Sequence, residues 1–274
     1  MNEADDQHRQ WMRMQLDTAA EHFSLTLNGE PTFGWRDRTI ASRAAGPDGN
    51  RWLRVSWSQV HWTGDSFWTG NQDAAMIIGV PRPTVLDMYE WGEPSYRNRA
   101  EVMTLVTDRA CSATQELRSE LALPEQWWHN LRSALNTLST HKTERTITSQ
   151  ERITSRLLAF FGSSVDPIVT HWATAHGDLN WSNLTAPDLV ILDWESFGVA
   201  PAGYDAATLY ILSLLTPDTA KNVHDTFADV LDSPDGVRSQ LHVIGRYLKR
   251  VEHGDFPDLA DPLHRHARKL IERA

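Results

Sequence analysis

Hydrophobic and polar residues change rhythm twice along this chain. Residues 5 to 22 read as a helix, and after them the pattern shortens to alternation. Ser24 to Leu27 alternates, Asn28-Gly29 is a turn signal, and Arg38 to Arg43 fits a second strand. The stretch GPDGN at 46 to 50 is dense in turn residues. After it RWLRVSW, Arg51 to Trp57, has the period of a half-buried strand. SFWTGNQDAAMIIG, 66 to 79, is predicted helical, and PRPTVLDMYEW is an extended run ending at Trp91.

From about residue 97 helical spacing takes over. EQWWHNLRSALNTL sets Trp128, Leu131, Leu135 and Leu138 on one face. Thr148 and Glu151 have capping-box spacing before an apolar run through Phe161. YDAATLYILSLL, 204 to 215, is apolar nearly all round, as a buried helix would be. TAKNVHDTFADVL and SQLHVIGRYLKRV are amphipathic. These elements predict an α+β protein with two lobes: a small antiparallel sheet lobe over 1–91 and a larger, mainly helical lobe over 92–274, joined near 91–98.

Composition narrows the functional classes. With 274 residues, 41% hydrophobic and 23% charged, the chain can bury a sizeable core. The net charge of −10 argues against nucleic acid as a partner, because such binding depends on many Lys and Arg contacts to phosphate. The same charge would suit a cationic small molecule, and is also an ordinary route to solubility. Cys111 is the lone cysteine, so neither an internal disulfide nor a Cys-rich zinc site is available. The acidic start MNEADDQHRQ is unlike a signal peptide and the longest apolar runs are too short for a bilayer, so a cytoplasmic protein with no membrane partner is expected. The sequons at Asn180 and Asn183 are then accidental. Most of the 12 tryptophans are expected in the core.

The chemistry sits in one polar insertion among the helices. HGDLNWSN, 176 to 183, is followed by an apolar run and ILDWE, ending at Glu195. Asp178 can accept a proton from a hydroxyl, Asn183 offers a neutral amide oxygen, and Asp193 a second carboxylate after a strand at Leu189 to Leu192. The reversal at APD, 186 to 188, would bring Asn183 and Asp193 to the two ends of a small hairpin. Phosphoryl transfer needs a group to orient the acceptor hydroxyl and hard oxygens to hold Mg²⁺ against a triphosphate.

H-G-D-x-x-x-x-N, the hydrophobic strand and D-W-E resemble the catalytic and metal loops of the aminoglycoside phosphotransferase family, within the protein-kinase-like fold. GVAPAGYDAATL, with Tyr204-Asp205, is similar to a segment that follows in that family, so the resemblance covers 176 to 206. It implies ATP or GTP as phosphoryl donor and a small hydroxyl-bearing acceptor, aminoglycosides and related antibiotics included. It implies Asp178 as the base, Asn183 and Asp193 as Mg²⁺ ligands, and His176 as a brace of the loop. Glu195 would reach the metal through water or hold the loop, and Asp205 would cap a helix or brace the catalytic loop.

The nucleotide lobe departs from the pattern. Arg54 stands where a Lys is expected, and Asp73 is the acid expected to pair with it. Gly29 and Gly34 lie between two expected strands and give at most a partial phosphate cover, and DMYEW, 87 to 91, is the expected linker strand at the adenine. No Walker signature is present. Asp218, Asp225, Asp229, Asp232, Asp255, Asp258 and Asp261 would line an acidic acceptor cleft, or are ordinary acids at helix ends. Two other classes remain open. One is a kinase-like protein that binds without catalysis, on account of Arg54. The other is a metal hydrolase using His171, His176, Asp178 and Asp193, which lacks a recognised ligand spacing.

Overall fold

The computed structural model describes residues 3–63 and 66–273, so the first two residues of the acidic start lie outside it. The chain forms two compact units, Met1–Ala75 with Pro83–Thr107, and Met76–Arg82 with Asp108–Ala274.

The first unit is a helix on an antiparallel sheet. Helix α1 (Glu3–His22) is followed by β1 (Thr26–Leu27), β2 (Thr32–Phe33), β3 (Thr39–Gly46) and β4 (Gly49–Gln59). After the short helix α2 (Gly70–Asp73) come β5 (Val85–Glu93) and β6 (Tyr96–Thr104), giving the order β1-β3-β4-β6-β5. Met12, Leu16 and Ala19 of α1 pack against Ile40, Leu53, Val55 and Ala100 of the sheet, all buried. That burial is what an amphipathic helix needs to be stable beside a pleated surface.

Three expectations change here, and one strand is added. The two expected strands, β1 and β3, pair with Leu27 opposite Ala44, and the unexpected β2 pairs with β3 as well, Thr32 opposite Ala41. Gly29 therefore sits in a loop bulging from one sheet edge, and the true hairpin turn runs from Gly34 to Thr39. The helix expected over 66–79 is broken into two 3-10 turns around α2. Gly70 and Asn71 are weak helix formers, and the Asn71 amide is bonded outwards to Glu101. Finally, the boundary drawn at Trp91 and the expected linker strand DMYEW fall inside β5, which forms a hairpin with β6. The unit ends only at Thr107.

The second unit is mainly helical. Two-residue strand β7 (Arg109–Ala110) precedes α3 (Glu125–Thr140) and α4 (Gln150–Phe161). Then come β8 (Trp172–Ala175), β9 (Thr185–Ala186) and β10 (Gly198–Pro201), and the helices α5 (Tyr204–Ile211), α6 (Pro217–Leu231), α7 (Pro234–Val251) and α8 (Ala260–Ile271). Trp127, Leu131, Ala134 and Leu138 form the buried face of α3, with Leu135 at its edge. The N-cap of α4 is Ser149, accepting from Arg152 N, rather than Thr148. α5 is buried nearly all round, as its composition implied. α8 had no counterpart among the expected elements. No helix among the described residues is long and apolar enough to cross a membrane.

Candidate active site

Strand β8 ends at Ala175 and delivers His176, Gly177 and Asp178 directly to the loop that follows. Asp205, near the start of α5, accepts the backbone N–H of His176 at 2.6 Å and of Gly177 at 3.0 Å. It braces the loop and makes no cap hydrogen bond to its own helix. Burial raises the Asp205 carboxyl above its ordinary range, opposed by His176 and these two N–H groups. Gly177 has φ +87, and a Cβ there would lie 2.6 Å from the Ser196 carbonyl oxygen, so the middle residue of the motif has no room for a side chain.

His176 is fully buried with its ring edge-on to Trp194. Burial pushes its pKa down, against Asp205 and Asp178, so the imidazole is neutral. Its Nε2 donates to the Leu192 carbonyl at 2.9 Å and its Nδ1 accepts the Asp178 N–H at 3.4 Å. This is a brace, not a metal ligand, as the resemblance implied. His171 is occupied elsewhere, on Asp235 at 2.9 Å. Among the described residues no group of three or more His, Cys, Asp or Glu is placed to hold a metal ion.

The reversal between Asn183 and Asp193 forms through Leu184 opposite Ile191 and through Leu192 N bonded to the Asn183 carbonyl at 2.8 Å. It carries a cis Ala186–Pro187 bond. The strand expected at Leu189 to Leu192 shrinks to that single bridge, because β9 pairs instead with β7. Trp127 Nε1 bonds the Thr185 carbonyl, Trp181 Nε1 bonds Ser213, and Trp194 Nε1 bonds the Ile191 carbonyl. These three buried tryptophans thus spend their polar atoms holding this loop.

Asn183 Nδ2 donates to the Asp178 carbonyl at 3.0 Å, leaving its Oδ1 with no protein donor among the described residues. Asp193 stands at φ 62, ψ 66, a left-handed conformation uncommon for a residue with a side chain and concentrated at functional positions. An amide oxygen and a carboxylate at the two ends of one reversal form a hard-oxygen donor set that suits Mg²⁺ completed by phosphates and water.

Four residues here went unnoticed in the sequence. Asn180, almost fully buried, accepts from Ser182 N and Oγ and donates to Asp178 Oδ2 at 3.2 Å, so this sequon asparagine is a loop clamp. Its signal was the Asx-turn spacing to Ser182. Arg145 grips the carbonyls of Phe197 at 2.9 Å and Glu195 at 2.8 Å. Arg246, on α7, reaches Asp178 Oδ1 at 3.1 Å and the Tyr204 hydroxyl at 3.0 Å. Asp235 fastens the start of β8 through Thr170 and His171. Burial alone would raise its carboxyl, but those donors bring it to about 2. Nothing local in the sequence announces Arg145, Arg246 or Asp235, which lie 33 or more residues from Asp178. Burial pushes the Cys111 thiol up to about 12.

In the first unit Arg54 lies directly across from Glu101 in the β4–β6 register, with Nη1 3.5 Å from its carboxylate. Glu101 is an acid beside Arg54, and Asp73, the acid expected to pair with Arg54, accepts from Thr69 Oγ1 at 2.7 Å. Glu101 also takes Arg99 Nε at 3.1 Å and Asn71 Nδ2 at 2.8 Å, making a buried polar network. The downstream acids divide between cations and helix ends. Asp225 pairs with Lys221, Asp229 with Arg132, Asp232 with His224, Asp255 with Arg250 and Asp258 with Arg118. Asp218 and Asp261 sit in the first turns of α6 and α8.

No family model matches the sequence and no curated protein resembles it at a significant level. Solved structures do. A thermostable mutant of aminoglycoside phosphotransferase APH(4)-Ia, in ternary complex with AMP-PNP and hygromycin B, matches at 14% identity and TM-score 0.62, over 94% of this chain and 97% of that one. Spectinomycin phosphotransferase APH(9)-Ia, in complex with ADP and spectinomycin, matches at 12% identity and TM-score 0.55, over 96% and 89%. Ethanolamine kinase of Plasmodium vivax matches at 11% identity and TM-score 0.53, over 90% and 82%. The α+β architecture implied by HGDLNWSN and ILDWE is therefore the fold of this chain: it is protein-kinase-like, and it is shared with small-molecule phosphotransferases.

Proposed function

We propose that this protein transfers the γ-phosphoryl group of ATP or GTP to a hydroxyl of a small molecule. The observation that carries the reading is the single hydrogen-bonded assembly of Asp178, Asn183 and Leu192-Asp193, tied by His176 and by the Asn183 amide. Its main chain is fixed before any substrate arrives, which suits a reaction catalysed by positioning.

Asp178 orients the acceptor hydroxyl and takes its proton. The acceptor oxygen forms a bond to the γ-phosphorus, the bond from that phosphorus to the β–γ bridging oxygen breaks, and the nucleoside diphosphate leaves. Arg246, at 3.1 Å from Asp178, keeps the carboxylate aimed and its charge balanced. Asn183 and Asp193 would hold Mg²⁺, which when bound neutralises the charge of the β- and γ-phosphates. Arg54 takes the part of the phosphate-facing cation, held by Glu101. A guanidinium presents a fork where an ammonium presents a point charge, so it favours bidentate contact with phosphate. A cytoplasmic setting accords with a single unpaired cysteine.

Arg54 in place of Lys also favours a second reading, a kinase-like protein that binds nucleotide or ligand without turning it over. Two measurements on purified protein separate them. The first is thermal stabilisation by ATP or GTP with and without Mg²⁺. The second is nucleoside diphosphate release across a panel of hydroxyl compounds, with hygromycin B and spectinomycin as the antibiotic arm. Mg²⁺-dependent stabilisation with acceptor-dependent release supports the enzyme. Stabilisation without release by any acceptor, or no stabilisation by either nucleotide, supports the binder.

A further inference from the structure

On α7, His242, Gly245, Arg246 and Lys249 fall at i, i+3, i+4 and i+7, so they share one stripe of the helix. On α4, Arg152, Ser155, Arg156 and Ala159 do the same. Between these stripes lies a cavity of about 440 Å³, lined by Arg152, Ser155, Arg156 and Lys249, with Glu151 and Phe160 also on its wall. Arg246, one turn of α7 before Lys249, is not on the wall of this cavity but bonds Asp178 Oδ1 at 3.1 Å.

The charge of this region is the reverse of what a polycationic acceptor needs. Arg152 and Arg156 have no carboxylate partner among the described residues. Lys249 is paired with Glu252 and Arg246 with Asp178, and Glu151 is exposed. Arg156 is half-buried, and its one described side-chain partner is a neutral acceptor, His242 Nε2 at 3.0 Å. Burial, then the charges of Arg156 and Arg246, push the His242 pKa down to about 3. Accepting at Nε2 puts the proton on Nδ1, a fully buried atom with no partner. A half-buried guanidinium held by a neutral imidazole still lacks a counter-charge, a costly arrangement unless a ligand supplies it.

The backbone is shaped to keep Arg156 there. A Cβ on Gly245 would lie 2.8 Å from Arg156 Cγ and 3.2 Å from Phe160 Cδ2. Glycine weakens the interior of a helix, and here it lets the arginine stem cross α7 to reach His242.

We propose that the acceptor is an anionic alcohol, whose phosphate or carboxylate sits between Arg152 and Arg156 of α4 while its hydroxyl faces Asp178 beside Arg246. This rests on the phosphotransferase reading and narrows its acceptor class to compounds opposite in charge to an aminoglycoside.

Inorganic phosphate is the first probe, followed by thermal shift and titration calorimetry on the full chain. Phosphate is expected to stabilise the protein, and Arg156→Met and Arg152→Gln each to weaken it at least tenfold. The Mg²⁺–ATP shift should be unchanged in both. Arg152 is exposed, so its variant tests the site even if Arg156→Met folds poorly. No phosphate shift, or one that Arg152→Gln keeps in full, overturns the proposal. Nucleoside diphosphate release is then measured with glycerol 3-phosphate, glucose 6-phosphate and glycerate against hygromycin B and spectinomycin. Release with the phosphorylated alcohols or with glycerate supports the proposal and says which anion is used; release only with the antibiotics overturns it. Loss of Mg²⁺–ATP stabilisation in the parent protein would instead strike the phosphotransferase reading, whatever phosphate does.

Discussion

The imidazole of His176 donates to the main-chain carbonyl of Leu192, the residue before Asp193, while its other nitrogen accepts from the Asp178 N–H. One neutral ring therefore sets the distance between the two acidic loops. His176→Ala should lower the melting temperature and cut turnover, with the larger effect on kcat. It leaves a buried carbonyl and a buried N–H unpaired, at about 1–3 kcal/mol each. Chemical denaturation and steady-state kinetics check this.

Asp178→Asn should reduce kcat by about 10²–10⁴, the scale of a positioned base. Nucleotide binding, read by calorimetry, should survive, since Asn keeps one acceptor oxygen for Arg246 and loses only the contact from Asn180. A parental rate in this variant would remove Asp178 from the chemistry.

Asp205→Asn replaces one of two acceptor oxygens with an NH₂ that must face a backbone N–H of His176 or Gly177. Unfolding free energy should fall by about 1–3 kcal/mol for the N–H left unpaired. Asp205→Glu, which keeps both oxygens, tests whether the added length alone is tolerated.

Glu101→Gln leaves Arg54 and Arg99 in a buried network without their shared anion. Breaking such a pair from one side should cost about 3–5 kcal/mol in urea unfolding. Mg²⁺–ATP stabilisation should weaken too, because Arg54 loses a carboxylate 3.5 Å from its Nη1.

Stability should decline as the solution is acidified from neutrality. His242 and His266 are held neutral, chiefly by burial, with pKa values lowered to about 3 and about 4. Groups depressed in the fold contribute stability that is complete above the unfolded value of about 6.5 and is lost as pH falls through the folded value. Melting temperature should therefore fall between about pH 6.5 and pH 4. His266→Gln should flatten that slope, as measured by melting scans against pH.

Sequence alone determined the chemistry-bearing loop, because HGDLNWSN and ILDWE are contiguous: a few turns and one short reversal bring Asp178, Asn183 and Asp193 together. It also determined the helical faces of α3 and α7, since periodicity is a local property. Tertiary structure decided everything that joins distant segments. Glu101 stands beside Arg54 because strand register, set across the whole sheet, chose that neighbour. Helical spacing was expected from about residue 97, yet Tyr96–Thr104 is strand β6, whose Arg99 and Glu101 are buried by pairing with each other and with residues of other strands. Arg246, Arg156 and Asp235 meet their partners only when α4, α7 and the segment at 170–183 pack together. A contact between residues dozens of positions apart leaves no periodic trace in the chain, and the folded helices alone determine which charges meet.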